Sequence, residues 1–303
     1  VCPKGAISIQ HGKSVIDQSK CIKCGRCENV CPYHAIIKVE RPCARSCGMD
    51  AISSDDQGKA TIDYDKCVSC GQCIVACPTG ALTEKDNTQQ VIDAINDPEK
   101  VVVVQTAPAV RAALGEEFGM PIGTNVEGKM VAALRRLGFD KVYDTDFGAD
   151  MTIMEEANEF IDRVKNGGKL PIITSCSPGW VKFCEHYFPN LTENLSTCKS
   201  PQQMTGALIK TWFAEREGID PNNIVSVSVM PCVAKKFEIN RDDEDAAGVP
   251  DVDISITTRE LARMIKMAQL NFARLPEEDF DPVMGVSTGA ATIFGATGGV
   301  LEA

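Results

Sequence analysis

The apolar residues of the segment 101–303 follow two patterns, and each pattern predicts one kind of secondary-structure element. Short runs rich in β-branched residues predict buried strands at 101–110, 141–145, 170–174, 224–230 and 283–288. Apolar residues spaced three and four apart predict helices at 126–137 and 152–166. Strands that alternate with amphipathic helices are typical of an α/β domain with a parallel sheet.

Residues 81–100 are polar but keep a helical spacing, so we expect a linker helix over 83–100. Ahead of it, eleven of the fifteen cysteines precede residue 78. Residues 21–32 (CIKCGRCENVCP) and 67–78 (CVSCGQCIVACP) share the pattern C-x2-C-x2-C-x3-C-P. Three cysteines at this spacing let one loop hold three corners of a [4Fe–4S] cluster, while the fourth points to a neighbouring cluster. Two copies predict an electron-transfer segment rather than a zinc site.

A shorter repeat extends beyond these two runs. One turn of the form C-P/G-x-x-A-I/L occurs four times, at 2–7 (CPKGAI), 31–36 (CPYHAI), 47–52 (CGMDAI) and 77–82 (CPTGAL). The intervals from Cys2 to Cys21 (19 residues) and from Cys47 to Cys67 (20 residues) resemble those between the halves of a bacterial two-cluster ferredoxin. We therefore expect residues 1–82 to form a tandem of α+β ferredoxin-like [4Fe–4S] modules.

Two ways of sharing the cysteines remain open. The first triplet is Cys21, Cys24 and Cys27, and the second triplet is Cys67, Cys70 and Cys73. Crossed ligation, as in two-cluster ferredoxins, gives Cys2 to the first triplet and Cys47 to the second. The alternative uses only the two complete runs and gives Cys77 to the first triplet and Cys31 to the second.

Cys43 belongs to a degenerate half-motif (IIKVERPC), because Ile37 and Glu40 occupy the positions where cysteines are expected. We keep Cys43 as a candidate ligand. Under crossed ligation, Cys31 is expected to serve a cluster whose other ligands precede the first residue.

Charge and hydropathy narrow the classes of partner. The chain has 31 Lys and Arg against 42 Asp and Glu, a net charge of −11, which disfavours nucleic acid and anionic membranes. No apolar stretch approaches the roughly 18 residues of a membrane span. No secretory signal is visible at the start, so we expect the cytoplasm. Val1 is not an initiator methionine, and Cys2 lies in the middle of a cysteine motif. The natural start of the protein is therefore expected upstream.

The predicted strands end in loops of cysteine, serine, proline and small residues, as in VVVVQ-TAPA, LPIIT-SCSP and IVSVSV-MPC. Ligands of open α/β sheets bind at the carboxyl ends of the strands. Cys176 and Cys232 are therefore candidate corners of one buried metal site. Cys184 and Cys198 are expected on helical stretches with structural roles, and the three histidines have no predicted role.

Six stretches of the chain resemble active-site loops of the [FeFe]-hydrogenases: TAPAVR (106–111), FGADMTIMEEANEF (147–160), TSCSPGW (174–180), NLSTCKSPQQ (194–203), MPCVAKKFE (230–238) and FGATGGVLEA (294–303). The resemblance implies that residues 101–303 form the domain that holds the H-cluster, a [4Fe–4S] cubane joined to a diiron unit with CO and CN⁻ ligands. It implies reversible H2 oxidation with ferredoxin or a flavin- or NAD-linked subunit as electron partner. Hydrogenase maturation proteins are implied as further partners.

The same resemblance implies roles for individual residues. Cys232 is implied as a cubane ligand, Lys235 as a hydrogen-bond donor to a cyanide, and Glu238 as the residue that holds the loop of this lysine. Residues implied to border the diiron unit are Ala107, Pro108, Ala109, Gln202 and Met230.

A proton relay is also implied, through Cys176, Glu156, Ser196 and Glu159, with Arg163 near its exit. Glu156 and Glu159 are three residues apart on a predicted helix and so share one face.

The chain departs from the family pattern at Ser177, where the family has a cysteine that ligates the cubane. Serine is a poor ligand for iron–sulfur clusters because its hydroxyl is far less acidic than a thiol. Our hypothesis is that Cys176 ligates and Ser177 serves the relay; weak ligation by Ser177 and an altered cluster are the alternatives.

The family's third motif, which supplies two more cysteines, is expected beyond Ala303. We therefore expect this sequence to be a fragment that does not turn over hydrogen as written. Two other functions remain open. A hydrogen sensor would fit the changed loop at Ser177, and a non-catalytic iron–sulfur assembly factor would bind cubanes without a diiron unit.

Overall fold

The computed structural model describes residues 2–37, 41–55 and 57–296, in which a cysteine-rich part precedes an α/β part. Two similar units build the cysteine-rich part, each an antiparallel hairpin followed by a one-turn helix that carries the third cysteine of a triplet. The elements in chain order are β1 (Ile7–Gln10), β2 (Lys13–Ile16), α1 (Arg26–Asn29), α2 (Pro42–Arg45), β3 (Ile52–Ser54), β4 (Ala60–Ile62) and α3 (Gln72–Val75). Helix α2 packs against α3.

The fourfold turn predicted from the repeat is present in the backbone. The carbonyls of Cys2, Cys31, Cys47 and Cys77 each accept a hydrogen bond from the N–H three residues later, at 3.2, 3.2, 3.4 and 3.4 Å. These donor residues have positive φ, with values of 59° at Gly5, 47° at His34, 49° at Asp50 and 64° at Gly80. Asparagine, aspartate and histidine adopt this left-handed conformation more readily than other side chains, and glycine adopts it without strain. The repeat is therefore a structural one.

A four-stranded sheet forms the centre of the second part. Its strands are β5 (Val101–Thr106), β6 (Lys141–Asp144), β7 (Ile224–Met230) and β8 (Ile254–Thr257). They lie in the order β6-β5-β7-β8, and all three pairings are parallel. The predicted α/β architecture with a parallel sheet is confirmed.

Helices surround this sheet. The α-helices are α4 (Thr88–Asn96), α5 (Pro108–Ala113), α6 (Glu127–Leu137), α7 (Thr145–Asn166), α8 (Pro178–Tyr187), α9 (Pro201–Leu208), α10 (Ala214–Glu217), α11 (Ala234–Glu238), α12 (Thr258–Met267) and α13 (Gly289–Ala296). A π-helical turn, Ile209–Phe213, joins α9 to α10, and short 3-10 helices cover Leu114–Phe118, Pro189–Asn194, Pro221–Asn223 and Phe272–Arg274. Within the described residues, no helix is both long and apolar enough to cross a membrane.

Alternate residues of β5 belong to two hydrophobic layers, as the period of two in a strand requires. Val104 packs with Leu134 of α6 and Leu261 of α12 in the larger layer. Val103 packs with Ile209 in the smaller layer. All five side chains are fully buried. Both faces of the sheet are therefore covered, and in open α/β sheets of this kind ligands bind at the carboxyl ends of the strands.

Two predicted strands are wrong. Residues 170–174 contribute only a single bridge, between Ile173 and Leu195, since Pro171 has no N–H to continue a ladder. Residues 283–288 form a turn and a loop, in which a Cβ on Gly285 would lie 2.4 Å from the Asp281 carbonyl. The chain folds back on itself too tightly there for a strand.

Other predicted boundaries shift. The strand predicted over 101–110 ends at Thr106, because Pro108 occupies the first turn of α5, where its fixed φ is favourable. The predicted helix 152–166 begins earlier, at Thr145, after Asp144, whose side chain accepts from the Asp146 N–H. The linker helix is shorter than predicted and spans Thr88–Asn96.

Strand β8 and helix α12 were not predicted. Their junction is a capping box in which Thr257 and Glu260 exchange side-chain-to-backbone hydrogen bonds.

Candidate functional site

Four cysteines of the first unit line one cavity. The cavity has a volume of about 770 Å³, and its lining includes Cys2, Cys21, Cys24 and Cys27 together with aliphatic side chains such as Ile16 and Ile36. Cys77 is absent from this lining. The arrangement supports the first of the two sharings for this cluster. Charged residues, among them Lys23, Arg26 and Arg41, line the cavity as well.

Backbone N–H groups point at several of the thiols. Ala6, Lys23, Ala35, Ala51 and Ser69 donate at 3.3–3.4 Å to the Sγ atoms of Cys2, Cys21, Cys31, Cys47 and Cys67, respectively. Such hydrogen bonds favour the thiolate, the form that binds iron. They lower the pKa of Cys2 and Cys31, and the Leu82 and Thr79 hydrogen bonds lower the pKa of Cys77 to about 7.

The cysteines of the second triplet lie near enough to one another to interact electrostatically. Burial raises the pKa of Cys73, and the nearby charges of Cys67 and Cys70 add to the increase. Cys43 is buried on α2, which packs against the helix that carries Cys73. Glu40, which belongs to the degenerate half-motif of Cys43, lies outside the described residues.

In the described part of the chain, no three His, Cys, Asp or Glu side chains converge on a point where a single metal ion would bind. A four-iron cluster does not require such convergence, since each of its thiolates binds a different iron atom. The lack of such convergence among the described residues is therefore compatible with cluster binding.

The second triplet lies against the loop that follows β7. A Cβ placed on Gly71 would be 2.5 Å from Cγ2 of Val233, the residue after Cys232. A Cβ on Gly179 would be 3.6 Å from the backbone oxygen of Val68. The second cluster motif and the predicted active-site loops are thus in direct contact.

The strand ends bring together several of the predicted site residues. Cys232 follows β7 and is exposed, and buried Met230 is the last residue of that strand. Buried Ala107 follows β5 and donates its N–H to the Val229 carbonyl at 3.0 Å. Pro108 is partly buried and Ala109 is exposed on α5. These residues form one wall at the carboxyl edge of the sheet.

Lys235 connects two of the loops. Its Nζ atom donates to the backbone oxygen of Cys176 at 2.9 Å and to Glu238 Oε2 at 2.9 Å. Buried Glu238 also accepts from Ser200 Oγ at 3.0 Å and from Gln202 Nε2 at 2.8 Å. The carboxylate of Glu238 therefore fixes the ammonium of Lys235 close to Cys176.

A chain of acidic and hydroxyl groups leads away from Cys176. Burial raises the pKa of Glu156, and among the described residues neither of its buried carboxyl oxygens has a hydrogen-bond partner. Ser196 lies near enough to oppose this increase, but its hydroxyl donates to Glu159 Oε2 at 3.0 Å. Burial alone would raise the pKa of Glu159, yet hydrogen bonds from Arg163, Thr197 and Ser196 bring it below its usual value. Two carboxyl groups with pKa values pushed apart suit donor and acceptor roles.

Cys176 and Ser177 have different surroundings. Burial raises the pKa of the Cys176 thiol, Lys235 opposes the increase, and Glu156 adds to it. Ser177 is exposed before α8, and its hydroxyl caps no backbone N–H of that helix. Cys176 is thus the residue electrostatically coupled to the acidic chain.

The structure adds residues that the sequence did not predict. Ser200 and Ser228 complete the hydrogen bonds of Glu238 and Gln202, and Ser228 Oγ donates to Gln202 Oε1 at 2.8 Å. Ser200, which precedes Pro201 and caps α9, was readable as a helix start. Cys184 lies on α8 as predicted, but the helical prediction for Cys198 is wrong: it lies in a loop, and its thiol donates to Glu159 Oε2 at 3.5 Å.

The fold and these loops are those of an iron–sulfur redox protein with a second metal centre at the sheet edge. Residues 100–303 match the family described as iron only hydrogenase large subunit, C-terminal domain, and residues 14–37 and 60–83 match the 4Fe-4S binding domain. The chain belongs to the iron-only hydrogenase large-subunit family. The last resembling stretch, residues 294–303, lies outside the described residues beyond the backbone of its first three positions.

Named relatives agree with this family. The chain is 52% identical over 293 residues to NADP-reducing hydrogenase subunit HndD of Solidesulfovibrio fructosivorans, covering 95% of this chain and 50% of the relative. It is 50% identical over 295 residues to iron hydrogenase 1 of Clostridium pasteurianum, covering 97% of this chain and 51% of the relative. The chain therefore spans about half the length of these two relatives.

More distant and structural similarities were also found. The cytosolic Fe-S cluster assembly factor narfl of Xenopus tropicalis is 33% identical over 213 residues, covering 67% of this chain and 44% of that protein. A solved apo [FeFe]-hydrogenase from Chlamydomonas reinhardtii has a TM-score of 0.63 at 44% identity, covering 72% of this chain and 56% of that chain. The expected cofactors, [4Fe–4S] clusters and an H-cluster, fit the two matched binding domains and the hydrogenase domain.

Proposed function

We propose that this chain is the electron-input and active-site part of an iron-only hydrogenase, which interconverts H2 with two protons and two electrons. The observation that carries the proposal is the arrangement around Lys235, whose ammonium is held by Glu238 and contacts the backbone of Cys176. A fixed cation at the carboxyl ends of parallel strands suits an anionic ligand such as cyanide. Similarity to relatives named as hydrogenases extends over nearly the whole chain.

The cysteines supply the electron path. The first triplet with Cys2, and then the second triplet, would each hold a cubane. Contact between Gly71 and Val233 brings the second triplet close to Cys232, so an electron has a short path between the two sites. When bound, the H-cluster would supply the iron at which H2 is split or formed.

The protein supplies the proton path. Cys176 would exchange a proton with the cofactor side, and Glu156 is next because its carboxyl is buried and has a raised pKa. Ser196 donates to Glu159, so a proton that enters Ser196 is passed on when its hydroxyl proton moves to Glu159. This proton path reverses our sequence hypothesis for Cys176 and Ser177. Cys176 becomes the relay thiol, and Ser177 is left at the position of the cubane ligand.

The electron partner is proposed to be ferredoxin, in the reaction H2 + 2 oxidised ferredoxin = 2 reduced ferredoxin + 2 H⁺, or a flavin- or NAD-linked subunit. The name of the NADP-reducing relative supports the second choice. We place the protein in the cytoplasm, where thiols remain reduced. One relative, 47% identical over 290 residues and covering 95% of this chain and 66% of itself, is a periplasmic [Fe] hydrogenase large subunit of Nitratidesulfovibrio vulgaris.

An assembly-factor function is the second candidate, because such proteins match 67% of this chain. The hydrogenase proposal is favoured by the ion pair of partly buried Lys235 with buried Glu238 and by the acidic chain from Glu156, which a protein that only holds cubanes does not need. A hydrogen sensor would share the same site and differ in its rate.

The test is to produce the full-length protein with hydrogenase maturation proteins, then record infrared bands of iron-bound CO and CN⁻ and hydrogen evolution from a reduced dye. Both signals are expected. Lys235→Gln should abolish evolution, while Lys266→Gln, which changes a half-exposed surface lysine, should leave it unchanged. Cubanes without CO or CN⁻ bands would favour an assembly factor, and bands with very slow evolution would favour a sensor.

A further inference from the structure

The outer end of the acidic chain is closed on one side by Arg163. Its Nε and Nη2 atoms donate to Glu159 Oε1, and Nη2 also donates to the Leu195 carbonyl at 2.7 Å. The Nη1 atom donates to the backbone oxygens of Lys169, Glu193 and Asn194 at 3.1–3.3 Å. Every N–H of the guanidinium is thus engaged. Because arginine stays protonated and accepts no hydrogen bond, it does not pass a proton onward.

Glu159 has a second neighbour that both donates and accepts protons. The Cys198 thiol donates to Glu159 Oε2 at 3.5 Å, on the same oxygen that accepts from Ser196. The Cys198 N–H donates to Ser196 Oγ at 3.1 Å, which fixes the thiol beside both residues. Burial raises the pKa of Cys198 to about 11, so the thiol stays protonated.

A cavity of about 380 Å³ begins at this thiol. Its lining includes Cys198, Thr197 and Lys199 of the loop and Met151 and Glu155 of α7. Thr197 and Glu155 are exposed, so the cavity is open to solvent. The ammonium of Lys199 is occupied by Glu244 and Asp251, both at 2.8 Å. Among the described residues that line this cavity, Glu155 is the carboxylate, and it is exposed to solvent.

We infer that Cys198 is a relay residue, through which protons pass between Glu159 and the water-accessible cavity beside Glu155. The inference rests on the proposed function, since it extends the proton path of that reaction. It places an exit at Cys198, whereas the family resemblance implies an exit near Arg163.

In each proton transfer, the Cys198 sulfur loses one proton and gains one. In the direction of H2 formation, the S–H proton moves to Glu159 Oε2, and in the same step the sulfur receives one proton from hydronium, which becomes water, or from protonated Glu155, which becomes a carboxylate. In the direction of H2 oxidation, protonated Glu159 gives its proton to the sulfur while the S–H proton moves to a water molecule of the cavity or to the Glu155 carboxylate. No free thiolate accumulates, so the high pKa of the thiol does not block the path.

The experiment uses the full-length, matured enzyme and five variants, four of them for turnover and Glu159→Gln for infrared absorption. Cys198→Ala is expected to slow turnover about tenfold with saturating dye and to raise the solvent deuterium isotope effect, because an intervening water must replace the thiol. Cys198→Ser, which keeps a hydroxyl, should recover to within about threefold of wild type. Glu155→Gln should raise the isotope effect as well. Cys184→Ala removes a buried thiol of α8 and serves as the control, with no change in isotope effect.

A second readout needs no turnover. Infrared absorption of the S–H stretch should contain a band that disappears in Cys198→Ala and shifts in Glu159→Gln, since the thiol loses a charged acceptor. A wild-type rate and isotope effect in Cys198→Ala would overturn the inference, and so would an unshifted band in Glu159→Gln. Equal slowing in the alanine and serine variants with an unchanged isotope effect would show a structural role and also overturn it. If wild type itself lacks CO and CN⁻ bands, the proposed function fails, and the S–H band alone decides whether Cys198 contacts Glu159.

Discussion

Gly71 of the second cysteine run and Val233 of the Cys232 loop are in contact so close that no side chain fits between them. A Cβ on Gly71 would lie 2.5 Å from Val233 Cγ2, and Gly71 has a φ of 77°. The equivalent residue of the first run, Gly25, has nearly the same φ, 74°, but no side chain or backbone of the described residues lies within 4 Å of its Cβ position. The two glycines therefore share a backbone requirement, and only Gly71 also closes the gap between two predicted metal centres.

This pair gives the first prediction. Gly71→Ala and Gly25→Ala should each cost about 1–2 kcal/mol for the left-handed backbone. Gly71→Ala should cost about 1–3 kcal/mol more, because of overpacking against Val233. Electron transfer between the second cluster and the Cys232 site should slow only in Gly71→Ala, measured by freeze-quench EPR of the matured protein.

The control is the double variant Gly71→Ala with Val233→Ala, which removes the clashing methyl and should recover most of the loss in rate. Equal electron-transfer rates in the two single variants would show that the contact does not matter for the path.

A second prediction concerns Glu260, which is fully buried and ties the linker to the active-site loops. Its carboxylate accepts from the Asn87 N–H at 2.8 Å, the Thr257 N–H at 2.6 Å and Lys236 Nζ at 2.7 Å. Glu260→Gln leaves the ammonium of Lys236, which is only 12% exposed, without its countercharge. We expect a loss of about 3 kcal/mol in the free energy of unfolding and faster hydrogen exchange in α4.

Arg263→Gln is the matched control for Glu260, because its ion pair with Asp86 joins two side chains that are about half exposed, and its contact with Glu84 is long, at 4.0 Å. This change should cost less than about 1 kcal/mol. If the two variants lose similar stability, the buried hydrogen bonds of Glu260 do not tie the linker as described.

The sequence predicts the elements of this fold well where the apolar residues keep a clear helical or strand periodicity. This periodicity is clear in β7 and α6, whose bounds agree with prediction within a residue. It is hidden at the start of α7, where small or polar residues such as Gly148 and Thr152 are buried against a neighbouring helix. A Cβ on Gly148 would lie 2.2 Å from Thr205 Oγ1 of α9, so this close packing determines the residue type more than the helical period does.

Some residues of the candidate site can likewise be predicted from the sequence and others cannot. Spacing predicted the two triplets because consecutive cysteines wrap one cluster within a single loop. Positions such as Lys235 and Glu156 needed the family resemblance, since a lysine or glutamate in isolation carries no spacing signal. Ser228 and Cys198 were missed because their partners, Gln202 and Glu159, are 26 and 39 residues away in sequence. Contacts at that separation are decided by the fold.

A third prediction is a pH dependence set by Asp146. Burial raises its pKa to about 7, and the neighbouring Asp144 adds to the increase while Arg111 opposes it. One of its carboxyl oxygens has no hydrogen-bond partner among the described residues. Between the ordinary pKa of aspartate, about 4, and 7, the folded protein keeps a proton that the unfolded chain has lost. Stability therefore falls as the pH rises through this window and then levels off.

Asp146→Asn removes this titration. The variant should gain on the order of 1–2 kcal/mol over wild type at about pH 8, and the gain should shrink as the pH falls towards about 5. Thermal midpoints across this range provide the measurement. Asp162→Asn, at an exposed position on the same helix, should show no such trend, and a parallel trend in both variants would contradict the assignment.

The final prediction separates Cys176 from Ser177 as cubane ligand. Ser177 precedes α8, and a Cβ on Gly179 of that helix would lie 3.6 Å from the backbone of Val68 and 4.0 Å from Ala234, so Ser177 begins a segment that faces both metal-binding loops. Ser177→Cys is therefore expected to raise the iron retained at the Cys232 site, measured by Mössbauer spectroscopy of the matured protein. Cys176→Ser should keep that iron but slow proton-limited turnover about a hundredfold, because the buried thiol beside Glu156 is lost. Loss of the cubane in Cys176→Ser, with no gain in Ser177→Cys, would instead make Cys176 the ligand, and the relay would then have to begin at Glu156.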